Sequence, residues 1–459
     1  MMTTMMIMVA KNRIRGLPLK TVVTRAFSTA PPSGENKRLY RRLSALGTNP
    51  GVTRTLDEWV KEGKAVTESK LVNIVKELRR YKNYKPALKV IDWMEKRGFG
   101  INESIHAMRL DLIAKSKTPE IAEKYFSKLP ELAKNQFTYG ALLNIYCQEK
   151  AADKALSLYE KMKELNLASN TLVTNNIMTL HLKLGQHEKI PTLFQEMESL
   201  KISPDRITYG ILMSSYASRN DIESVEKVVD EMKRGGRVGF DWSLWCNLAG
   251  YYNSSGFFEK AESVLKNAEK MMPSGDREAY HFLITLYAGA GNLSEVKRVW
   301  RLLKDSFRKM TNMSYYHMFH ALKKLGDVDE LKKIFEEWEL HFDHFDVKLV
   351  NVVLDAYLEK GMIKEAEIIW ENAISKGCGS DFRTFELFAK YYLEQGERDL
   401  ATKLLERYAC ILKQEKGRIN EGKAKKFIEH LVGVKDVDGV EAFCKSFKDL
   451  VCLYPKKKC

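Results

Sequence analysis

Cysteine and histidine are the residues of this chain best suited to hold a metal ion or to act as nucleophiles. The seven cysteines are scattered and none forms a Cys-x-x-Cys pair: Cys147, Cys246, Cys378, Cys410, Cys444, Cys452 and Cys459. His317 and His320 would share one face of a helix, and His341 and His344 form a second close pair, but no third ligand stands at metal spacing. The pattern predicts reduced thiols and no metal site.

Sequence motifs of catalysis are missing as well. There is no His-x-Glu followed by Cys-x-x-Cys, which marks zinc deaminases, no glycine-rich loop for phosphates and no acyl-transfer motif. We therefore predict a protein that is not an enzyme, needs no cofactor and acts by binding. The formal net charge is +15, and it stays at +10 when the five cations of the first 34 residues are subtracted. This balance favours an acidic partner such as RNA.

The elements that would position a binding surface form a repeat with a period of 35 residues. Glycine recurs in the predicted turns from Gly185 onward, with Asn220 in the turn skipped between Gly185 and Gly256: Gly185, Gly256, Gly291, Gly326, Gly361 and Gly396. A column of large apolar residues follows each turn: Tyr159, Phe194, Val229, Leu265, Trp300, Phe335, Trp370 and Leu405. A smaller apolar residue stands between the turn and each large one: Ala155, Ile190, Val225, Ala261, Val296, Leu331, Ala366 and Ala401. Three columns in one register indicate a repeat array.

Each repeat predicts one antiparallel helix pair. In the block 171–205, apolar residues stand at helical spacing before and after Gly185, and Pro204 ends the second run. A single pair cannot bury its apolar face alone, so neighbouring pairs must stack and share a core. We predict an all-α fold, a right-handed α-solenoid superhelix of about ten such helix-turn-helix repeats with a concave groove.

The repeats resemble those of pentatricopeptide repeat proteins, of the plant organellar type without an editing or deaminase extension. The motifs that carry the resemblance are the helix starts Phe137-Thr138-Tyr139 and Ile207-Thr208-Tyr209, the helix ends Glu196-Met197 and Glu231-Met232, and the closure Ser203-Pro204-Asp205. The resemblance covers residues 68–416. It implies a non-enzymatic protein that binds RNA, with one base read by two side chains of each repeat.

The resemblance also implies which residues would contact RNA. The base-reading columns give Asn175 with Asp205 and Asn351 with Asp381, a combination that favours uracil, whereas Gly140 with Asn170 and the remaining pairs depart from readable combinations. Asn175 and Asp205 have an alternative interpretation as ordinary helix-capping residues. The stacking column is plausible over residues 136–241, where it gives Phe137, Leu172 and Ile207. The column of backbone-contacting cations gives Arg80, Lys115, Lys183 and Lys324.

The two ends of the chain differ from the array. Residues 1–34 contain five cations and no acidic residue, which predicts a transit peptide for the mitochondrial matrix rather than for the chloroplast. Residues 35–67 are predicted as a linker with an N-terminal capping helix, and residues 417–459 as a C-terminal helical cap with a basic tail. No stretch reaches the roughly 18 apolar residues of a membrane span.

Two hypotheses of function follow. The first is a mitochondrial RNA-binding adaptor that holds single-stranded RNA in the groove and supports the stability, processing or translation of a transcript. The alternative is a structural, ribosome-associated scaffold that binds protein or folded rRNA without reading sequence. The partners are organellar RNA, mRNA or rRNA, and under the second hypothesis proteins of the mitochondrial ribosome; neither hypothesis involves a small-molecule substrate.

Overall fold

The fold is a stack of α-helix pairs. The computed structural model describes residues 34–45, 51–236, 238–273, 275–342, 345–379 and 381–414, and within these ranges it contains 22 α-helices and no strand. The predicted transit peptide before residue 34, the predicted C-terminal cap, and the side chains of His344, Cys410, Cys444, Cys452 and Cys459 lie outside the described residues. The all-α solenoid predicted from the 35-residue period is confirmed.

Odd-numbered helices are the first members of the pairs and even-numbered helices the second. Their bounds are α1 Gly34–Ala45, α2 Val52–Lys61, α3 Glu68–Arg80, α4 Tyr84–Lys96, α5 Glu103–Ser116, α6 Pro119–Ser127, α7 Gln136–Glu149, α8 Ala152–Glu164, α9 Thr171–Leu184, α10 Lys189–Ser199, α11 Arg206–Ser218, α12 Ile222–Gly235, α13 Trp242–Ser254, α14 Phe258–Met271, α15 Arg277–Gly289, α16 Leu293–Ser306, α17 Asn312–Leu325, α18 Val328–His341, α19 Val347–Glu359, α20 Ile363–Ser375, α21 Phe382–Glu394 and α22 Arg398–Gln414. The chain divides into two compact units, one ending at Ser255 and the other beginning at Gly256.

The glycine column lies in the turns between the two helices of each pair. All six glycines adopt left-handed backbone conformations, with φ between 72° and 81°, and Asn220 adopts one as well at 58°. Glycine adopts this conformation readily because it lacks the Cβ that would crowd the following carbonyl, and asparagine tolerates it better than most residues. The spacing of these glycines along the sequence therefore gives the spacing of the turns.

The column of smaller apolar residues is the innermost part of the second helices. Every member, from Ala155 to Ala401, is at most 1% exposed. The larger column packs beside it and is buried from Tyr159 to Phe335, while Trp370 is half-buried and stacks on Phe388 with ring centroids 4.6 Å apart. The two columns thus form the shared core that stacking of the repeats requires.

The segment predicted as a linker with one capping helix instead holds a complete helix pair, α1 and α2. Its buried residues repeat those of the next pair after 35 positions: Leu43 matches Leu78, and Leu56 matches Ile91. The prediction missed this pair because few apolar residues mark it, and charged side chains cover its outer face.

The repeat that begins at α5 is two residues shorter than the 35-residue period, because the next first helix is capped by Asn135 rather than by a residue at position 137. Pro119 begins α6, and a proline forces the preceding residue out of the helical conformation, so α5 ends at Ser116 and the chain turns at once. Helix α6 has only nine residues and leads into a short 3-10 helix, Glu131–Ala133.

Candidate nucleic-acid interface

The predicted base-reading pair Asn175 and Asp205 lies at the junction of two repeats. Asn175 is on the second turn of α9 and is buried, while Asp205 immediately precedes α11. The Asn175 amide Nδ2 donates to Asp205 Oδ1 over 3.0 Å. Thr208 Oγ1 lies 2.9 Å from Asn175 Oδ1 and 2.9 Å from Asp205 Oδ1, so its single proton serves one of the two. The pair is held in one orientation by its own hydrogen bonds.

The second predicted pair has the same geometry in the other unit. Asn351 Nδ2 donates to Asp381 Oδ1 over 2.9 Å, and Thr384 Oγ1 donates to Asn351 Oδ1 over 2.8 Å. Asn351 is buried, as Asn175 is. Two sites 176 residues apart in the sequence therefore present the same arrangement of an amide, a carboxylate and a hydroxyl group.

The second residue of each base-reading pair is also the N-cap of the next first helix. In nine successive pairs its side-chain oxygen accepts a hydrogen bond from a backbone N–H of the first turn; these residues are Asn102, Asn135, Asn170, Asp205, Asp241, Asp276, Thr311, Asp346 and Asp381. At Asp205 the backbone N–H of Thr208 donates to Oδ1 over 2.8 Å. All the hydrogen bonds named for Asp205 fall on Oδ1, so the second carboxylate oxygen takes part in none of them. Capping and base reading are compatible in one carboxylate.

The third predicted pair, Gly140 with Asn170, differs from these two in its chemical groups. Gly140 is buried within α7 and offers no side chain, and a Cβ built there would meet no atom within 4 Å. Asn170 caps α9 through the backbone N–H of Val173 at 3.0 Å. The structure therefore brings a single amide, and no second polar side chain, to this position.

The predicted stacking residues lie on the first turns of successive first helices. Phe137 is 50% exposed and Leu172 is 59% exposed, while Ile207 is half-buried. Large apolar side chains at the surface in repeated positions are available to a ligand, and flat bases stack well on such side chains.

The predicted backbone-contacting cations are already engaged with the protein to different degrees. Arg80 lies 3.7 Å from Glu77, and Lys115 lies 2.7 Å from Asp111. Lys183 donates to the carbonyl oxygen of Cys147 and to Gln148 Oε1, both over 3.2 Å, and so holds the end of the preceding first helix. Lys324 is exposed on the last turn of α17. Exposed ion pairs are weak and can exchange with phosphates.

Sequence reasoning missed the hydroxyl residue that completes each polar group. Thr208 and Thr384 stand three residues after the capping residue, and Ser314 stands in the same position after Thr311. In the Ser314 repeat, His281 occupies the asparagine column and its Nε2 lies 2.9 Å from Ser314 Oγ. The recurrence of Thr or Ser at this spacing was the signal that could have revealed them.

Cysteine and histidine are the side chains of this chain best suited to metal-binding or nucleophilic chemistry. No group of three or more His, Cys, Asp or Glu side chains there is arranged to hold a metal ion. Burial raises the pKa of the Cys147 thiol to about 12, which keeps it protonated. His317 stacks on His281 with ring centroids 4.7 Å apart, and its Nδ1 lies 3.2 Å from Thr285 Oγ1.

The described helices differ from membrane-spanning segments. None of them combines the length and the apolar composition that crossing a membrane demands.

Family models match several of the repeats described above. A model of the PPR repeat family matches residues 169–218, and a model of the PPR repeat matches residues 137–167, 207–237 and 349–378. The matched segments include both halves of the Asn175 and Asp205 pair. The boundaries agree with the starts of the first helices.

Curated proteins of Arabidopsis thaliana are similar to the chain over most of its length. A mitochondrial pentatricopeptide repeat-containing protein is 41% identical over 95% of this chain and 89% of its own. A second protein of that description is 40% identical over 90% of this chain and 78% of its own. The large ribosomal subunit protein mL101 is 36% identical over 90% of this chain and 84% of its own. The predicted mitochondrial location is confirmed by these relatives.

Solved structures confirm the architecture. The pentatricopeptide repeat protein PPR10 in complex with an 18-nucleotide psaJ RNA element matches 90% of this chain and 69% of its own, with a TM-score of 0.56 and 15% identity. A second crystal structure, of PPR10 from maize, gives a TM-score of 0.54, and this chain spans 63% of that chain's length. On the strength of the full-length relatives and the repeat geometry, the chain belongs to the pentatricopeptide repeat family.

Proposed function

We propose that the protein is a non-enzymatic RNA-binding adaptor of mitochondria that holds a short stretch of single-stranded RNA. The observation that carries this proposal is the exposed stacking column, in which Phe137 and Leu172 face solvent at matching positions of successive repeats. A base between Leu172 and Ile207 would meet the Asn175 and Asp205 pair. Its amide hydrogen and free carboxylate oxygen supply a donor and an acceptor, which suit the edge of uracil.

The expected role is to stabilise a transcript or to support its processing or translation. Of the base-reading columns, only two positions carry the Asn and Asp combination, so the site reads few bases. Affinity for RNA then comes from stacking and from the backbone-contacting cations Arg80, Lys115, Lys183 and Lys324 more than from sequence. The relative PPR10, whose structure contains an RNA element, supports the proposal through its shared fold.

A second candidate function is that of a structural scaffold associated with the mitochondrial ribosome. Two observations favour it: most base-reading pairs depart from readable combinations, and a relative is a large ribosomal subunit protein. In this case Asp205 and Asp381 would serve as helix caps only.

Crosslinking of the tagged protein in purified mitochondria separates the two functions. The bound RNA is sequenced while the same lysate is fractionated on a sucrose gradient. A sharp footprint on one or a few mRNAs, away from the ribosome, supports the adaptor. Crosslinks confined to rRNA, with the protein sedimenting with a ribosomal subunit at high salt, contradict the adaptor and support the scaffold.

A further inference from the structure

Lysine replaces glycine in the turns of three successive helix pairs in the first unit. Lys82, Lys117 and Lys150 stand between the two helices of their pairs, where Gly185 stands in the next pair. Lys82 and Lys150 adopt left-handed backbone conformations, with φ of 61° and 58°. Side chains with a Cβ seldom adopt this conformation, so lysine is not the residue that backbone stability favours in these turns.

Lys85 breaks a second local rule at the same place. It lies in the first turn of α4, which contains no acidic residue there. The positive end of the helix dipole disfavours a cation at this position, and most of the other second helices carry Asp or Glu in their first turn, whereas Lys85 has no such acidic neighbour in its first turn. Residues that break local rules together point to a function that the rules do not cover.

Contacts between repeats bring these turns along one edge of the first unit. Arg79 Nη2 of α3 lies 2.7 Å from Asp111 Oδ2 of α5, and the Lys115 ammonium group lies 5.3 Å from the centre of the Tyr84 ring of α4. Lys154 Nζ of α8 lies 2.6 Å from Glu123 Oε1 of α6. Packed helices are about 8–10 Å apart, so the turns follow one another at roughly that interval.

We name this surface the basic turn edge: Lys82, Lys85, Lys117 and Lys150. All four side chains are exposed, and none forms an ion pair with another described residue within 4.0 Å. Within the described part of the chain, no carboxylate therefore pairs with these ammonium groups, in contrast to those of Lys115 and Lys154.

We propose that the basic turn edge binds the phosphate backbone of a base-paired RNA segment, apart from the stacking column. The inference rests on the proposed RNA-binding function. A row of separated ammonium groups suits a polyanion better than a single phosphate, and lysine contacts phosphate as a point charge without reading bases. Base-paired RNA is recognised mainly through its backbone and shape, whereas the stacking column requires unpaired bases.

The test replaces Lys82 and Lys150 of the full-length protein with glycine. Lys82→Gly with Lys150→Gly removes two charges and supplies the residue that the turns prefer, so folding is retained. Binding of a short blunt RNA duplex is measured by fluorescence anisotropy at several KCl concentrations. We expect several-fold weaker binding, and the slope of log affinity against log salt should fall by about 2, one for each phosphate that the variant no longer neutralises.

Lys201→Gly is the matched control. Lys201 is exposed and adopts φ of 54°, but it lies in the loop after α10, at the opposite end of its helix pair. The control should bind the duplex as the unaltered protein does. Melting curves of all variants verify that they are folded.

Three results would overturn the inference: unchanged duplex binding by the double variant, an equal weakening in the Lys201→Gly control, or a weakening confined to single-stranded RNA. If the unaltered protein binds neither duplex nor single-stranded RNA, the proposed function itself fails. If it binds single-stranded RNA while the double variant keeps full duplex affinity, only the basic turn edge is refuted.

Discussion

At the scale of single residues, one carboxylate serves two purposes. Asp205 caps α11 and bonds Asn175 through Oδ1, and the same holds for Asp381 and Asn351. Removing a helix-capping side chain costs the fold about 0.5–2 kcal/mol, so replacement by alanine mixes stability with binding. Variants that keep the cap are needed to separate the two.

Asp205→Asn keeps the cap and changes what the site offers to a base. Asparagine caps helices as well as aspartate does, but its amide replaces the second carboxylate oxygen with a donor. We expect a near-native melting temperature and a change in base preference at one position worth about 1–3 kcal/mol. The measurement is affinity for RNAs varied at each position in turn. Unchanged preference at every position would leave Asp205 with a capping role alone.

His281 makes stability depend on pH. Burial, His317 and Arg277 lower the pKa of His281 to about 4, from 6.5 in an unfolded chain. Between these values the unfolded chain binds a proton that the folded protein does not, so the stabilisation is complete above pH 6.5 and is lost as pH falls toward 4. His281→Asn introduces the residue found at positions 175 and 351. Between pH 7 and pH 5, the melting temperature of this variant should fall less than that of the unaltered protein. An identical loss in both proteins would contradict this.

At the scale of helices and turns, the glycine-containing repeats share one way of reversing the chain between their two helices. Each of the glycine-containing pairs turns through a left-handed residue, and its first helix begins with a capping side chain. The capping side chain marks the start of the first helix, and the left-handed residue marks its end. The apolar columns then determine which face of the pair is buried.

Gly291→Ala tests the turn. Gly291 has φ of 80°, and a Cβ there would meet no atom within 4 Å, so the whole effect comes from the backbone. We expect a loss of about 1–2 kcal/mol in the free energy of unfolding. Gly140→Ala is the control: Gly140 lies within a helix, a Cβ there would also meet no atom within 4 Å, and alanine should stabilise the protein by up to about 1 kcal/mol. Thermal melts that shift in the same direction for both variants would refute the assignment of the turn.

At the scale of the whole molecule, the chain consists of two compact units, and within each unit helix pairs pack on their neighbours. Stability in such arrays is nearly a sum of repeat and interface terms, so damage to one repeat stays local. The division of the chain into two compact units, with the boundary between Ser255 and Gly256, fits this description.

Phe385→Ala tests how local the stability is. Phe385 is buried on α21, and its ring centroid lies 4.3 Å from that of Tyr408. Removing the ring should cost about 3–5 kcal/mol. Hydrogen exchange measured by mass spectrometry should quicken in residues 363–414 and stay unchanged in residues 68–116, with Phe385→Leu giving a smaller effect. Equal acceleration in both segments would show that the array unfolds as one cooperative body.

The amino-acid sequence by itself determined the period, the helix pairs and the buried columns, and it offered capping as an alternative role for Asp205. These follow from periodicity and from the backbone preferences of single residues such as Gly185 and Asp205, which act within one or two turns of a helix. It also indicated the family and the mitochondrial location. The start of the array escaped detection because α1 and α2 bury few side chains, among them Leu43 and Leu56, amid many charges.

Only the tertiary structure decided how residues of different repeats meet. Asn175, Asp205 and Thr208 are up to 33 positions apart in sequence and share one set of hydrogen bonds, which depends on how two helix pairs pack. The alignment of Lys82, Lys117 and Lys150 along one edge likewise follows from the stacking of repeats, with ion pairs such as Arg79 with Asp111 joining neighbours. Local preferences carry no information on such distances, because the packing of whole elements determines them.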